Sequence, residues 1–387
     1  MVTKINNPTR KYIYFNKSTG NIHDNLFELL NIDLIKNANL KAHENNISNY
    51  FSRPDKYQEV IEGIYPIPPR SIWKYEHDKF YNLNDRNVPS NITPDFDELL
   101  KIIERLSKPF LHKKIGIELS GGLDTSIVIG LIKHLGFNPF LVGIKSNRYE
   151  LRTESYIQEI YANKQANVCL KDSSESLPFS NLFFCPIHQL PSSTSLYYMH
   201  ALQIAKESSE SGINIILSGM GFDVLLCENP IQENINLLPE SWKSWMLDDN
   251  WFNENIYDKY GITYKSGAAS PLIIKKVWAM RKGEGEDLKK WWGRKMFSDY
   301  LPKELVNYAY KADNSGEFLD GFLNSKNEIS TIFKLAHEVT NLEEFSQNSL
   351  DSLFHNVHLV DETKDKLILA RVSFANWIFG LIREKII

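Results

Sequence analysis

Cysteine is scarce in this 387-residue chain: Cys169, Cys185 and Cys227 are the only three. Odd in number and widely spaced, they build neither a disulfide framework nor a C-x-x-C pair, which leaves a reducing, cytoplasmic setting as the expectation. No run approaches the ~18 apolar residues that a membrane span needs, and Met1 to Asn7 carry no apolar signal core. An excess of one charge is missing too. With 44 basic against 48 acidic residues and a net charge of −4, the chain lacks the footprint of a polyanion binder, so nucleic acid is not the expected partner. Internal repeats and low-complexity tracts are absent, and no G-x-x-x-x-G-K-[ST] loop occurs anywhere. The length leaves room for two domains of roughly 150 residues each.

What is present centres on Ile115 to Ser126, a short apolar strand (Ile115-Gly116-Ile117-Glu118-Leu119) that breaks into Ser120-Gly121-Gly122-Leu123-Asp124-Thr125-Ser126. Two glycines let the backbone turn sharply and approach an anion, while Ser120, Thr125 and Ser126 offer hydroxyls beside the free N–H groups of a helix start. Asp124 would repel a phosphate unless a Mg2+ ion lay between them, so the loop predicts a metal–nucleotide rather than a bare anion. The structural alternative, a plain strand-to-helix turn, needs none of the three hydroxyls.

Residues 1 to about 95 carry short β-like runs, Tyr12-Ile13-Tyr14-Phe15 and Ser71-Ile72-Trp73-Lys74-Tyr75, between turn-rich stretches, which predicts a small α+β region. Asn84 to Asp95 reads as a linker. From Phe96 strands alternate with helices, the pattern of an α/β parallel sheet. Strand 114–119 leads into helix 125–135, ended by Gly136; strand 140–144, helix 154–165, strand 167–170 and helix 195–208 follow. The apolar run Ile213 to Leu217 then opens into Ser218-Gly219-Met220-Gly221-Phe222-Asp223, a second glycine-rich loop with an Asp. In an open parallel sheet ligands sit at the carboxyl ends of strands, so both loops can face one nucleotide. The half beyond Cys227 is mostly helical in pattern and rich in Trp.

S-G-G-L-D-T-S at 120–126 resembles the loop of the PP-loop ATP pyrophosphatases. Taken with S-G-M-G-F-D at 218–223, Ser270-Pro271-Leu272, Lys290-x-x-x-Arg294, Leu301-Pro302 and Lys311, it resembles the synthetase domain of the asparagine synthetase family, which includes β-lactam synthetases and lasso-peptide cyclases. The likeness runs from about residue 60 to 320. It implies an adenine-nucleotide α-hydrolase-like fold over residues 96–387 and a reduced glutaminase-like region over 1–95, because Ile61 to Ile72 is similar to the end of that family's glutaminase domain. It also implies adenylation of a carboxylate by ATP, release of pyrophosphate and attack by an amine. Carried over, Ser120, Gly121, Gly122, Asp124, Thr125, Ser126, Ile144, Ser218, Gly219 and Gly221 would bind the nucleotide. Asp124 and Asp223 would carry Mg2+, Lys290 and Arg294, one helical turn apart, would clamp phosphate oxygens, and Lys311 would stabilise charge as the amide closes.

The departures matter for substrate. Met220, Val224 and the stretch after Lys311 differ from asparagine synthetases, and Met220 supplies no base. Glu118, Glu228 and His188 are the candidate replacements. The family's glutaminase nucleophile is an N-terminal Cys; Val2 follows Met1 here and no Cys lies in the first 95 residues, so glutamine is not the expected nitrogen donor. A specialised peptide or natural-product carboxylate is the expected substrate, with a homodimer or a biosynthetic partner protein compatible. Two other classes stay open: a PP-loop enzyme that modifies tRNA, and a non-catalytic nucleotide binder. Cys185-Pro186-Ile187-His188 and His355-x-x-His358 are incomplete metal patterns. The Lys, Arg and Trp residues between Ile274 and Lys295 suit either stacking on a ligand or core packing.

Overall fold

The computed structural model describes residues 2–8, 12–49, 57–67, 71–83, 95–110, 112–148, 151–227, 255–266, 271–281, 290–307, 315–356 and 362–387. The chain forms two compact units, one of residues 87–177 and 199–318, the other of residues 1–86, 178–198 and 319–387.

The first of these is an α/β unit. Its sheet holds β7 (Ile115–Glu118), β8 (Phe140–Lys145), β9 (Val168–Asp172), β10 (Ile215–Ser218) and β11 (Thr263–Ser266), ordered β11-β10-β7-β8-β9. Every pairing is parallel. Buried, branched residues (Ile115, Ile117, Leu141, Ile215, Ile216) make up the central strands, as a sheet covered on both faces requires. Helix α4 (Leu123–His134) follows β7 and buries Leu123, Ile127, Val128, Ile129, Leu131 and Ile132; sealing each such side chain from water contributes about 1.5–3 kcal/mol. Gly136, at φ +84, ends it as the glycine predicts. Helices α3 (Phe96–Ser107), capped by the Asp95 carboxylate, and α8 (Pro271–Met280) add Leu99, Ile103, Ile273 and Val277 to the same core. Helix α5 (Arg152–Lys164) contributes Ile157, Ile160 and Tyr161. Thus the expected parallel sheet is observed, with β11 as a strand that the sequence pattern does not announce.

The other unit is built on antiparallel pairing. One sheet joins β1 (Val2–Asn7), β5 (Ser71–Glu76) and β6 (Lys79–Asn82); a second joins β2 (Ile13–Asn16), β3 (Ile22–His23) and β4 (Ile64–Ile67). Strand β5 alternates buried and part-exposed residues, putting Trp73 and Tyr75 inside with Ile5, Ile13, Phe15 and Ile67. Helix α2 (Leu40–Asn49) packs with the long helix α14 (Glu362–Arg383), His43 lying 5.6 Å from the Phe374 ring. This packing is why residues 319–387 group with the N-terminal segment, whereas the expected division placed all of 96–387 together. Among the described residues no helix is long and apolar enough to cross a membrane.

Candidate functional site

The α/β unit brings its two glycine-rich loops together at the carboxyl ends of the adjacent strands β7 and β10. In the first loop the Ser120 hydroxyl accepts from the Gly122 N–H at 3.1 Å and shares a hydrogen bond with Thr125 Oγ1 at 2.9 Å. Helix α4 starts at once, the Ser126 N–H reaching the Gly122 carbonyl. Gly122 is its N-cap and supplies no capping side chain, so the helix start relies on other acceptors. Gly121 has φ +82, and a Cβ there would fall onto the backbone carbonyl of Glu154 in α5. Glycine is obligatory at that point for both conformation and space.

The second loop is pressed directly onto the first. A Cβ on Gly219 would lie 2.6 Å from the Thr125 nitrogen and 2.7 Å from the Asp124 carbonyl carbon. Gly221, at φ +88, turns the chain into α7 (Phe222–Cys227). The loop is held from below, since the Met220 N–H donates to Ser218 Oγ at 3.2 Å and the Ser266 hydroxyl donates to the Met220 carbonyl at 2.6 Å. Asp223 is the second residue of α7, with its side chain outside the described residues.

Asp124 stands in the first turn of α4, and its two carboxylate oxygens face the Lys290 ammonium at 2.8 and 2.9 Å. The two side chains are 16% and 14% exposed, so solvent screens this pair less than a surface salt bridge. Lys290 is not part of a helix. It adopts a left-handed conformation (φ 54, ψ 35) as the N-cap of α9 (Trp291–Met296). The i,i+4 spacing that would set Arg294 beside it therefore does not apply, and the two side chains part: buried Arg294 donates to the Leu305 carbonyl. Lys311 and Glu228 lie outside the described residues, as do His358 and the side chain of Trp278.

Other expected site residues divide between the loop mouth and the core. Ser126 is fully buried, and burial pushes the phenol of nearby Tyr161 up to about 12. The Ile144 carbonyl, at the end of β8, accepts from Gln158 Nε2 at 2.8 Å, and the same amide donates to the Leu119 carbonyl at 2.8 Å. Gln158, tying two strand ends together, is a residue that motif reading missed; its signal is an amide on the inward stripe of α5 between Ile157 and Tyr161. Glu118 ends β7 and accepts from the Tyr257 hydroxyl at 2.7 Å. Burial raises its pKa against the opposing effect of the nearby Tyr257 and Ser218 hydroxyls. His188, by contrast, is buried in the other unit, and burial drives its pKa down to about 3, which makes it a very weak base.

The donor chemistry fits a metal–nucleotide better than a self-contained metal site. Among the described residues no three His, Cys, Asp or Glu side chains converge on one point. A hard cation held at Asp124 would complete its shell with phosphate oxygens and water, which is how Mg2+ is usually bound beside nucleotides. Two cations of the basic stretch near α8 are core residues, while Trp291 is exposed. Lys276 and Arg281 are buried, the first paired with Glu98 and the second donating to the Leu225 carbonyl. No model of a protein family matches this chain, and no curated protein matches it.

Proposed function

We propose that the protein is an ATP-dependent, AMP-forming amide synthetase of the asparagine synthetase-like PP-loop type, acting in the cytoplasm on a specialised small-molecule or peptide carboxylate. The observation that carries this reading is the backbone-on-backbone contact of Gly219 with Asp124 and Thr125, which makes one mouth of two glycine-rich loops on adjacent parallel strands. A substrate carboxylate oxygen attacks the α-phosphorus of ATP, pyrophosphate leaves, and an amine then attacks the acyl carbon, displacing AMP and losing a proton. The N–H groups of loop 120–122 and the hydroxyls of Ser120 and Thr125 would hold the departing pyrophosphate. Asp124, with Asp223, would carry Mg2+, which supplies charge neutralisation on the phosphates. Of the candidate proton acceptors among the described residues, Glu118 is the one that ends a strand of this sheet, and burial raises its pKa. Burial of Lys276 and Arg281 favours this reading over tRNA modification, which needs exposed cations.

The test is pyrophosphate release from ATP across a panel of carboxylates and short peptides, with nucleotide products separated by chromatography. AMP and pyrophosphate are expected, and Asp124→Ala should lower turnover at least ~100-fold, the scale seen when one key electrostatic group is removed. ADP as the product would overturn the class; tight ATP binding with no turnover on any carboxylate would favour the non-catalytic binder.

A further inference from the structure

We infer that Lys290 is a resident counter-ion of Asp124 that a divalent cation must displace, so that metal and nucleotide bind as one unit and bare metal is turned away. This rests on the reading of Asp124 as the metal-bearing carboxylate of a nucleotide site. The ammonium sits at 2.8 and 2.9 Å from the two oxygens, occupying the lone pairs on which a cation would bind. A bare divalent ion would have to break this pair and would then leave a lysine cation within a few ångströms of itself, in a place only 14% exposed. A metal–nucleotide brings its own solution: its phosphates supply the anionic oxygens that re-pair the displaced ammonium.

The backbone suits such an exchange. Lys290 stands in the left-handed region, which a non-glycine residue rarely occupies, at the N-cap of α9, where its carbonyl accepts the first helical bond from the Arg294 N–H at 2.9 Å. The side chain therefore leaves from a cap residue at the helix start, whereas the Arg294 guanidinium is buried against the Leu305 carbonyl. The pair thus couples the two ligands thermodynamically: whatever the nucleotide adds to metal affinity, the metal adds equally to nucleotide affinity.

The experiment is calorimetric titration of the full chain with MnCl2 alone, and with MnCl2 plus the α,β-methylene analogue of ATP, for wild type, Lys290→Gln, Lys290→Arg and the Lys290→Gln/Asp124→Asn double variant. Thermal melts accompany each titration to confirm folding. Lys290→Gln is expected to bind bare Mn2+ about 10-fold or more tighter than wild type and the Mn2+–analogue complex about 10-fold weaker, within the usual range of coupling between sites. Lys290→Arg should behave as wild type, and the double variant should lose the gain for Mn2+. Unchanged or weaker binding of bare Mn2+ by Lys290→Gln overturns the inference, even where the analogue binds normally and the proposed function stands. Tighter bare Mn2+ binding together with no analogue binding by any form supports the counter-ion role and overturns the nucleotide reading instead.

Discussion

The two units use buried polar chemistry in opposite ways. In the α/β unit, groups that carry or can carry charge gather at strand ends: Glu118 with Tyr257 and Ser218, and Asp124 with Lys290. In the antiparallel unit the buried histidines are held neutral. His43 is one: Ser373 donates its own proton to the Ala370 carbonyl, so the His43 Nε2–H donates to the Ser373 oxygen, and burial lowers the histidine's pKa to about 3. His188 has the same value for the same reason. The antiparallel unit thus keeps both buried histidine rings uncharged and pairs its half-buried Glu44 with Arg371 at 3.6 Å, whereas the α/β unit collects its charged groups beside backbone loops at strand ends, the setting in which perturbed groups tend to cluster at sites.

The largest expected effect sharpens that contrast from the packing side. Trp73 is fully buried in β5, and Trp73→Ala should cost about 3–5 kcal/mol of stability, read from urea unfolding. If Mn2+–nucleotide affinity at temperatures where the variant stays folded falls along with stability, the division between a packing unit and a ligand unit is broken. A more gradual effect comes from acid. A histidine whose folded pKa is depressed lends stability that is complete above its unfolded value near 6.5 and lost as pH falls toward 3. Within that window each of His43 and His188 should remove about 1.4 kcal/mol per pH unit. His43→Gln should reduce the slope of unfolding free energy against pH by about one proton's worth; an unaltered slope would show that the ring is charged in the fold. The smallest effect is in the α/β unit and has the opposite sign. A raised carboxylate pKa means that Glu118 favours the fold while protonated, below its unfolded value, and loses that contribution as pH rises. Glu118→Gln should therefore raise the melting midpoint by about 1–3 °C at pH 8 and leave it unchanged at pH 4.

Much of the α/β unit was legible in the sequence, because its signals are local. The strand-loop-helix of 115–134, the helix end at Gly136 and the strand at 140–145 all announce themselves through apolar runs broken by glycine. Strand β11, Thr-Tyr-Lys-Ser at a sheet edge, carries no such run and owes its place to pairing with β10. The Lys290–Arg294 pair failed for a different reason: spacing speaks for a shared face only if the first residue is helical, and a left-handed cap leaves no trace in residue type. The grouping of 319–387 with the N-terminal segment depends on long-range packing of α14 with α2, which no window of sequence contains.

The strand order has a consequence in time. Ile117 of β7 pairs on one side with Leu141 of β8 and on the other with Leu217 of β10, which lies 217 − 117 = 100 residues further along the chain. At translation speeds of about 5–20 residues per second, this second partner emerges roughly 5–20 s after Ile117 itself. For that interval one side of β7 is an open hydrogen-bonding edge, the kind of surface that recruits stray strands from other chains. The loop of residues 120–122 exists by then, yet the glycine that closes its mouth, Gly219, has not been made. Closure of the loop mouth thus waits on β10, the later of the two strands that pair with β7, and β10 in turn keeps an open edge until β11 follows.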